Sequence, residues 1–176
     1  MFIGGLDASK RIPFLLESAR RIAAELPGFR LLVAGEGPDR RLVEAAASQP
    51  GSPVVALGYA TRSQMGLLGA VSDVMLMPGR VGLCAVDSFA LRTPVVTTEW
   101  PWHAPEFEYL IGGCNALITP DDVDSYATAV ASLLHDPARL DSFRTACLDA
   151  AADYTVEGMA ARFRDGALRM LGERDT

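Results

Sequence analysis

The chain has 176 residues, a formal net charge of −6, 49% apolar and 22% charged side chains, which suits one globular domain. An acidic total without a basic run excludes the phosphate-neutralising footprint of a nucleic-acid binder, and no apolar run approaches the roughly 20 residues that cross a bilayer. At this size a chain buries roughly 70% of the surface its unfolded form exposes, so no disulfide or structural metal is required to hold a core.

Phe2 to Gly5 reads as a strand cut short at its start, and Ile12, Leu15, Leu16, Ala19, Ile22, Ala23 and Leu26 then fall on one helical stripe ended by Pro27-Gly28. Phe29 to Ala34 is continuously apolar apart from Arg30, as in a strand covered on both faces. Val54 to Leu57 is a further strand, with Thr61 capping a helical segment to Val71. Asp73 to Met77 and Pro94 to Thr98 are strands separated by the helical stretch Leu83 to Leu91, and Ala116 to Ile118 is a short last one. Three more helical stripes follow: Val123 to Leu134, Leu140 to Cys147, and Val156 to Leu171. This alternation predicts an α/β fold, a Rossmann-like doubly wound parallel sheet of about six strands with helices on both faces. No internal repeat or linker divides it, so residues 1–176 are expected to form one domain. Met1 leads directly into a β-type run, which reads as a boundary inside a longer, two-domain enzyme.

Lys10 is the sole lysine; every other member of the 16 Lys and Arg residues is arginine. A coding preference explains the arginines as a group and leaves open why one lysine stands where it does. Cys84, Cys114 and Cys147 are odd in number and set among apolar neighbours, with only His103 and His135 to join them, which reads as buried thiols rather than a metal site. No basic n-region precedes an apolar leader, and the expected compartment is the cytoplasm.

In doubly wound sheets ligands sit outside the carboxyl ends of the strands, so the strand-to-helix loops carry the chemistry. Gly4-Gly5-Leu6-Asp7-Ala8-Ser9-Lys10 delivers an ammonium just before a helix, suited to a phosphate or simply solvated. Gly35-Glu36-Gly37-Pro38 permits close approach of a ligand to backbone, or is a tight turn with Pro38 opening a helix. Pro78-Gly79-Arg80-Val81-Gly82-Leu83 precedes a helix whose first amides suit an anion, with Asp87 one turn inside for a ribose diol; ordinary helices also open on glycine. His103-Ala104-Pro105-Glu106-Phe107-Glu108-Tyr109, after the aromatic pair Trp100 and Trp102, sets one histidine with two carboxylates, which suits acid/base work, or Glu106 complements a helix start.

Taken together, Gly4-Gly5-Leu6 with Lys10, Gly35 to Pro38, Leu57-Gly58-Tyr59, Ser72-Asp73 through Pro78-Gly79, Gly82-Leu83 with Asp87, Phe89-Ala90, Pro94-Val95-Val96, Pro105-Glu106, Gly112-Gly113 and Asn115-Ala116 resemble, in order and spacing, the C-terminal, nucleotide-sugar-binding domain of a GT-B glycosyltransferase of the retaining family 4. The resemblance implies a UDP- or GDP-sugar donor transferred as a hexosyl group to a glycan, lipid or small-molecule acceptor. Lys10, Arg80, Gly82 and Leu83 would face the diphosphate, Asp87 the ribose, and Gly58-Tyr59 the base, without a cofactor or metal. The acceptor site would lie in an N-terminal domain, which would also supply any peripheral membrane contact. Three departures stand out: Gly5 replaces the family's arginine, removing a phosphate cation unless Arg80 or Arg11 swings in, Gly79 replaces its first glutamate, and Asp87 its second. A non-catalytic nucleotide-sugar sensor and a GT-B sugar epimerase are therefore carried as alternatives.

Overall fold

The structure is a computed structural model and describes residues 1–172. Six parallel strands form two three-stranded sheets: β1 (Phe2–Ile3), β2 (Leu31–Ala34) and β3 (Val54–Gly58) in one, β4 (Met75–Leu76), β5 (Val95–Thr98) and β6 (Ala116–Thr119) in the other. The sheets are stitched along β1 and β4, where Leu76 N–H donates to Met1 O at 2.8 Å and the Met1 amine donates to Val74 O at 2.7 Å. Across the molecule the order is therefore β3-β2-β1-β4-β5-β6, a doubly wound arrangement whose switch point falls between β1 and β4.

Seven α-helices cover this frame: α1 (Ile12–Glu25), α2 (Arg40–Ala47), α3 (Arg62–Ala70), α4 (Cys84–Leu91), α5 (Val123–Leu134), α6 (Pro137–Asp153) and α7 (Val156–Leu171). α1 packs against α2 and α5, and α4 against α3 and α6. The α1 stripe buries Ile12, Leu15, Ala19 and Ile22 completely, each contributing about 1.5–3 kcal/mol for its larger side chains. Thr61 opens α3 in a capping box with Gln64, and Asp122 and Asp136 cap α5 and α6. At the centre Tyr126 is fully buried, its hydroxyl donating to Val96 O at 2.8 Å.

Several expectations are corrected. The ladders are shorter than the apolar runs, because Phe29-Arg30 leaves α1 through a turn in which Phe29 N–H donates to Leu26 O at 3.0 Å. Pro38 does not open α2, which starts at Arg40 after Asp39. Of the three thiols only Cys147 is buried; Cys84 is half-buried and Cys114 exposed in the turn before β6. The stripe from Val156 to Leu171 is a helix as expected, and its apolar face is left open: no residue of α7 is buried, and Phe163 is 80% exposed.

Candidate functional site

The loops after β1 and β4 flank the switch point, and the first is clamped between its neighbours. On the β2 side, Leu6 N–H donates to Glu36 O and Asp39 N–H to Leu6 O, both at 2.9 Å. A Cβ on Gly35 would lie 2.0 Å from Gly4 O, and one on Gly37 2.3 Å from Leu6 O. On the side where a side chain would stand, these two glycines therefore admit the backbone of the first loop. On the β4 side, Arg80 N–H donates to Ser9 O at 2.8 Å, and a Cβ on Gly79 would lie 2.4 Å from that same oxygen.

The clamp fixes Lys10. Asp7 caps the short 3-10 turn Ala8–Lys10, its carboxylate accepting from Ser9 N–H at 2.8 Å and Ser9 Oγ at 2.6 Å. The Ser9 hydroxyl and amide hold the Asp7 carboxyl below its ordinary value. Lys10 Nζ donates to the carbonyl of Arg80, so the ammonium stands over the turn that opens α4. Arg11 next to it is left-handed (φ 54°) and engaged elsewhere, on Asp121, on Pro78 O at 3.2 Å and beneath Phe14 at 4.4 Å. It does not supply the cation that Gly5 lacks. The Arg80 side chain is exposed and forms no ion pair among the described residues.

At the start of α4, the N–H groups of Gly82 and Leu83 have no main-chain acceptor among the described residues. Gly82 has room for a side chain, the nearest atom to a Cβ there being Ala104 Cβ in ordinary contact at 3.9 Å. Leu83 is 70% exposed. The Cys84 thiol is pushed up chiefly by burial; the Gly82 amide and the Lys10 charge oppose that shift, while Asp87 adds to it. Lys10, the α4 amino end and Asp87 therefore share one neighbourhood. Asp87 is half-buried and accepts no hydrogen bond among the described residues, and burial raises its carboxyl above the ordinary value, with Arg62 opposing. A carboxylate held without a protein donor is a ready acceptor for ligand hydroxyls. On the far side of the first loop, Gly58 is left-handed (φ 68°), and Tyr59 is 73% exposed.

His103 is occupied structurally. Its Nδ1 accepts from Val81 N–H at 3.1 Å, so the proton sits on Nε2, 2.9 Å from Thr98 O. The ring stacks on Phe107 with centroids 4.2 Å apart, and burial lowers its pKa. With both nitrogens tied to backbone, His103 pins the loop after β5 to the turn that opens α4. Glu106 lies in the first turn of a second 3-10 helix, Pro105–Tyr109, but makes no cap bond; its Oε2 is buried without a partner. Sequence reading did not foresee the pairing of Arg11 with Asp121 or the packing of Ser9 against Gly79, both of which join residues far apart in the chain. No group of three or more metal-ligating side chains occurs among the described residues.

The family model described as glycosyl transferases group 1 matches residues 1–136. The chain belongs to that family. It is 27% identical over 151 residues to the 2-deoxystreptamine glucosyltransferase of Streptomyces kanamyceticus, covering 78% of this chain and 36% of that protein. Among solved structures, sucrose-phosphate synthase from Thermosynechococcus elongatus superposes with a TM-score of 0.81 at 21% identity, over 98% of this chain and 45% of that one. The pneumococcal O-GlcNAc transferase GtfA, in complex with UDP and GlcNAc, gives 0.79 at 18% identity, over 97% and 35%. These likenesses establish the fold as that of a Rossmann-like GT-B domain. The chain spans between 24% and 43% of the length of the curated relatives it matches.

Proposed function

We propose that this chain is the donor-binding half of a retaining glycosyltransferase that takes a UDP- or GDP-sugar and passes a hexosyl group to an acceptor held mainly by an N-terminal domain. The observation that carries the reading is the meeting, at the β1/β4 switch point, of the only lysine with the α4-opening amides of Gly82 and Leu83, which have no main-chain acceptor among the described residues. Lys10 and Arg80 neutralise the donor diphosphate, the Gly82 and Leu83 amides hydrogen-bond its oxygens, Asp87 accepts from the ribose diol, and Gly58-Tyr59 flank the base. As the glycosidic bond breaks, negative charge grows on the departing diphosphate, and a fixed ammonium and helix amides stabilise that charge without reorganising. A lysine in this place takes the role that a divalent cation would otherwise fill, so no metal enters the proposal.

The second domain is supported by the partial coverage of relatives and by α7, whose Met159, Phe163 and Met170 are 61%, 80% and 90% exposed. An apolar face of that kind is covered by a partner in a stable protein. No described helix is long and apolar enough to cross a membrane, and a cytoplasmic enzyme is the proposal consistent with it. The non-catalytic sensor keeps one observation in its favour: Gly79 sits too close to Ser9 to carry the carboxylate that the resemblance places there. Calorimetry of the chain with UDP, GDP and ADP tests the reading. Binding of UDP or GDP is expected, and heats indistinguishable from dilution for all three would overturn it.

A further inference from the structure

Glu99-Trp100-Pro101-Trp102 has no counterpart in the motifs that carry the family resemblance, and it leaves β5 toward the donor loop. Its return is locked there: Ala104 N–H donates to Val81 O at 2.9 Å, and His103 Nδ1 accepts from Val81 N–H. Trp100 lies over the Arg11 guanidinium, 5.7 Å to the ring centroid, and edge-on to His103 at 6.0 Å. Between this loop and the 3-10 helix is a cavity of about 660 Å³, a size that suits small-molecule ligands. Trp100, His103 and Phe107 give it ring surface, and Glu99 and Glu108 its charge. Trp102, whose two neighbours both line the cavity, is 69% exposed. No lysine or arginine lines it, both imidazole nitrogens are taken up by backbone, and neither carboxylate has an ion-pair partner or side-chain hydrogen bond among the described residues. Ala104 lines the cavity and also stands 3.9 Å from a Cβ built on Gly82, so cavity and donor loop adjoin.

Aromatic faces take the C–H face of a sugar ring, while indole quadrupoles and uncompensated carboxylates attract ammonium groups and repel phosphate or carboxylate. We infer that the cavity bounded by Trp100, Phe107, Glu99 and Glu108 is an acceptor subsite for a saccharide ring bearing amino groups. The word acceptor rests on the donor reading above; the ring-and-charge complementarity does not.

Trp100 and Trp102 are the chain's two tryptophans, so intrinsic emission reports on this loop alone. Emission is to be titrated with fully deacetylated chitotriose, maltotriose and glucose 6-phosphate, with UDP calorimetry on the same preparation. Saturable binding of the deacetylated chitotriose is expected, about tenfold weaker for maltotriose and absent for the sugar phosphate. Glu99→Gln with Glu108→Gln is expected to remove that preference and leave UDP affinity unchanged. Equal affinity for maltotriose, or no saturation with any sugar while UDP binds, overturns the inference and spares the donor reading. Saccharide binding without UDP binding overturns the donor reading, and the acceptor assignment with it.

Discussion

A Cβ built on Gly79 would stand 2.4 Å from the carbonyl oxygen of Ser9, whereas one on Gly82, three residues later, meets nothing nearer than 3.9 Å. The same turn therefore holds one glycine required by packing and one that leaves room over the α4 amino end. Gly79→Ala must displace the Ser9-Lys10 backbone, and a loss of about 1–3 kcal/mol is expected, read as a fall of about 5 °C in Tm. Gly82→Ala is expected to keep Tm within about 1 °C while weakening UDP binding about tenfold, because its methyl enters the space proposed for phosphate. Thermal denaturation and calorimetry on the two variants separate the roles.

Gly5 is not left-handed, and a Cβ there meets only Asp7 Oδ2, at 3.0 Å. The side chain can be restored at modest cost to Asp7. Gly5→Arg is expected to tighten UDP binding by about threefold to tenfold at low salt, with the gain shrinking as salt rises. Calorimetry at two ionic strengths checks it, and an unchanged or weaker affinity at both would place the diphosphate elsewhere.

Burial raises the Asp87 carboxyl above its ordinary value, so the folded protein favours the neutral form and the ionised group costs stability at neutral pH. Asp87→Asn is expected to raise Tm at pH 7 by about 1–3 °C, a gain that fades as the pH falls below the folded-state pKa. The same variant is expected to weaken uridine binding and to flatten its pH dependence, since the ionised carboxylate accepts ribose hydroxyls in charge-assisted bonds stronger than those of the protonated acid. Uridine is the right probe because it carries no titrating phosphate.

For His103 the sign is opposite. Burial lowers its pKa, so the neutral ring is favoured in the fold, while the unfolded chain takes up a proton near pH ~6.5. Its contribution is fully present above that pH and is lost as the pH falls toward the folded value. Protonation also removes the Nδ1 acceptor from Val81 N–H. Tm is expected to fall between pH 7 and 5.5, and less so in His103→Gln, which does not titrate; parallel slopes would contradict the assignment.

The strands and helices were legible because local rules decide them: the α1 stripe, the Thr61 cap and the apolar β5 run all appear where periodicity and capping chemistry put them. Lys10 was legible as an anomaly of composition. What stayed hidden depends on residues distant in sequence. Gly35 and Gly37 read as either a ligand approach or a tight turn, and Gly79 as a lost side chain, until the first loop's backbone is seen against all three. Arg11 reads as a spare cation until Asp121 is placed beside it, and His103 as an acid or base until Val81 and Thr98 occupy both nitrogens. The α7 stripe was legible as an amphipathic helix, but such a pattern states that a face is to be covered without stating by what.

The central claim is that Lys10 binds the donor's diphosphate, and calorimetry of Lys10→Ala with UDP and with uridine tests it most directly. The account predicts that UDP affinity falls about tenfold to a hundredfold, the loss of one charge-assisted contact, while uridine binds as it does to the wild type. UDP binding that survives the substitution unchanged, or uridine binding that falls in equal measure, would contradict it.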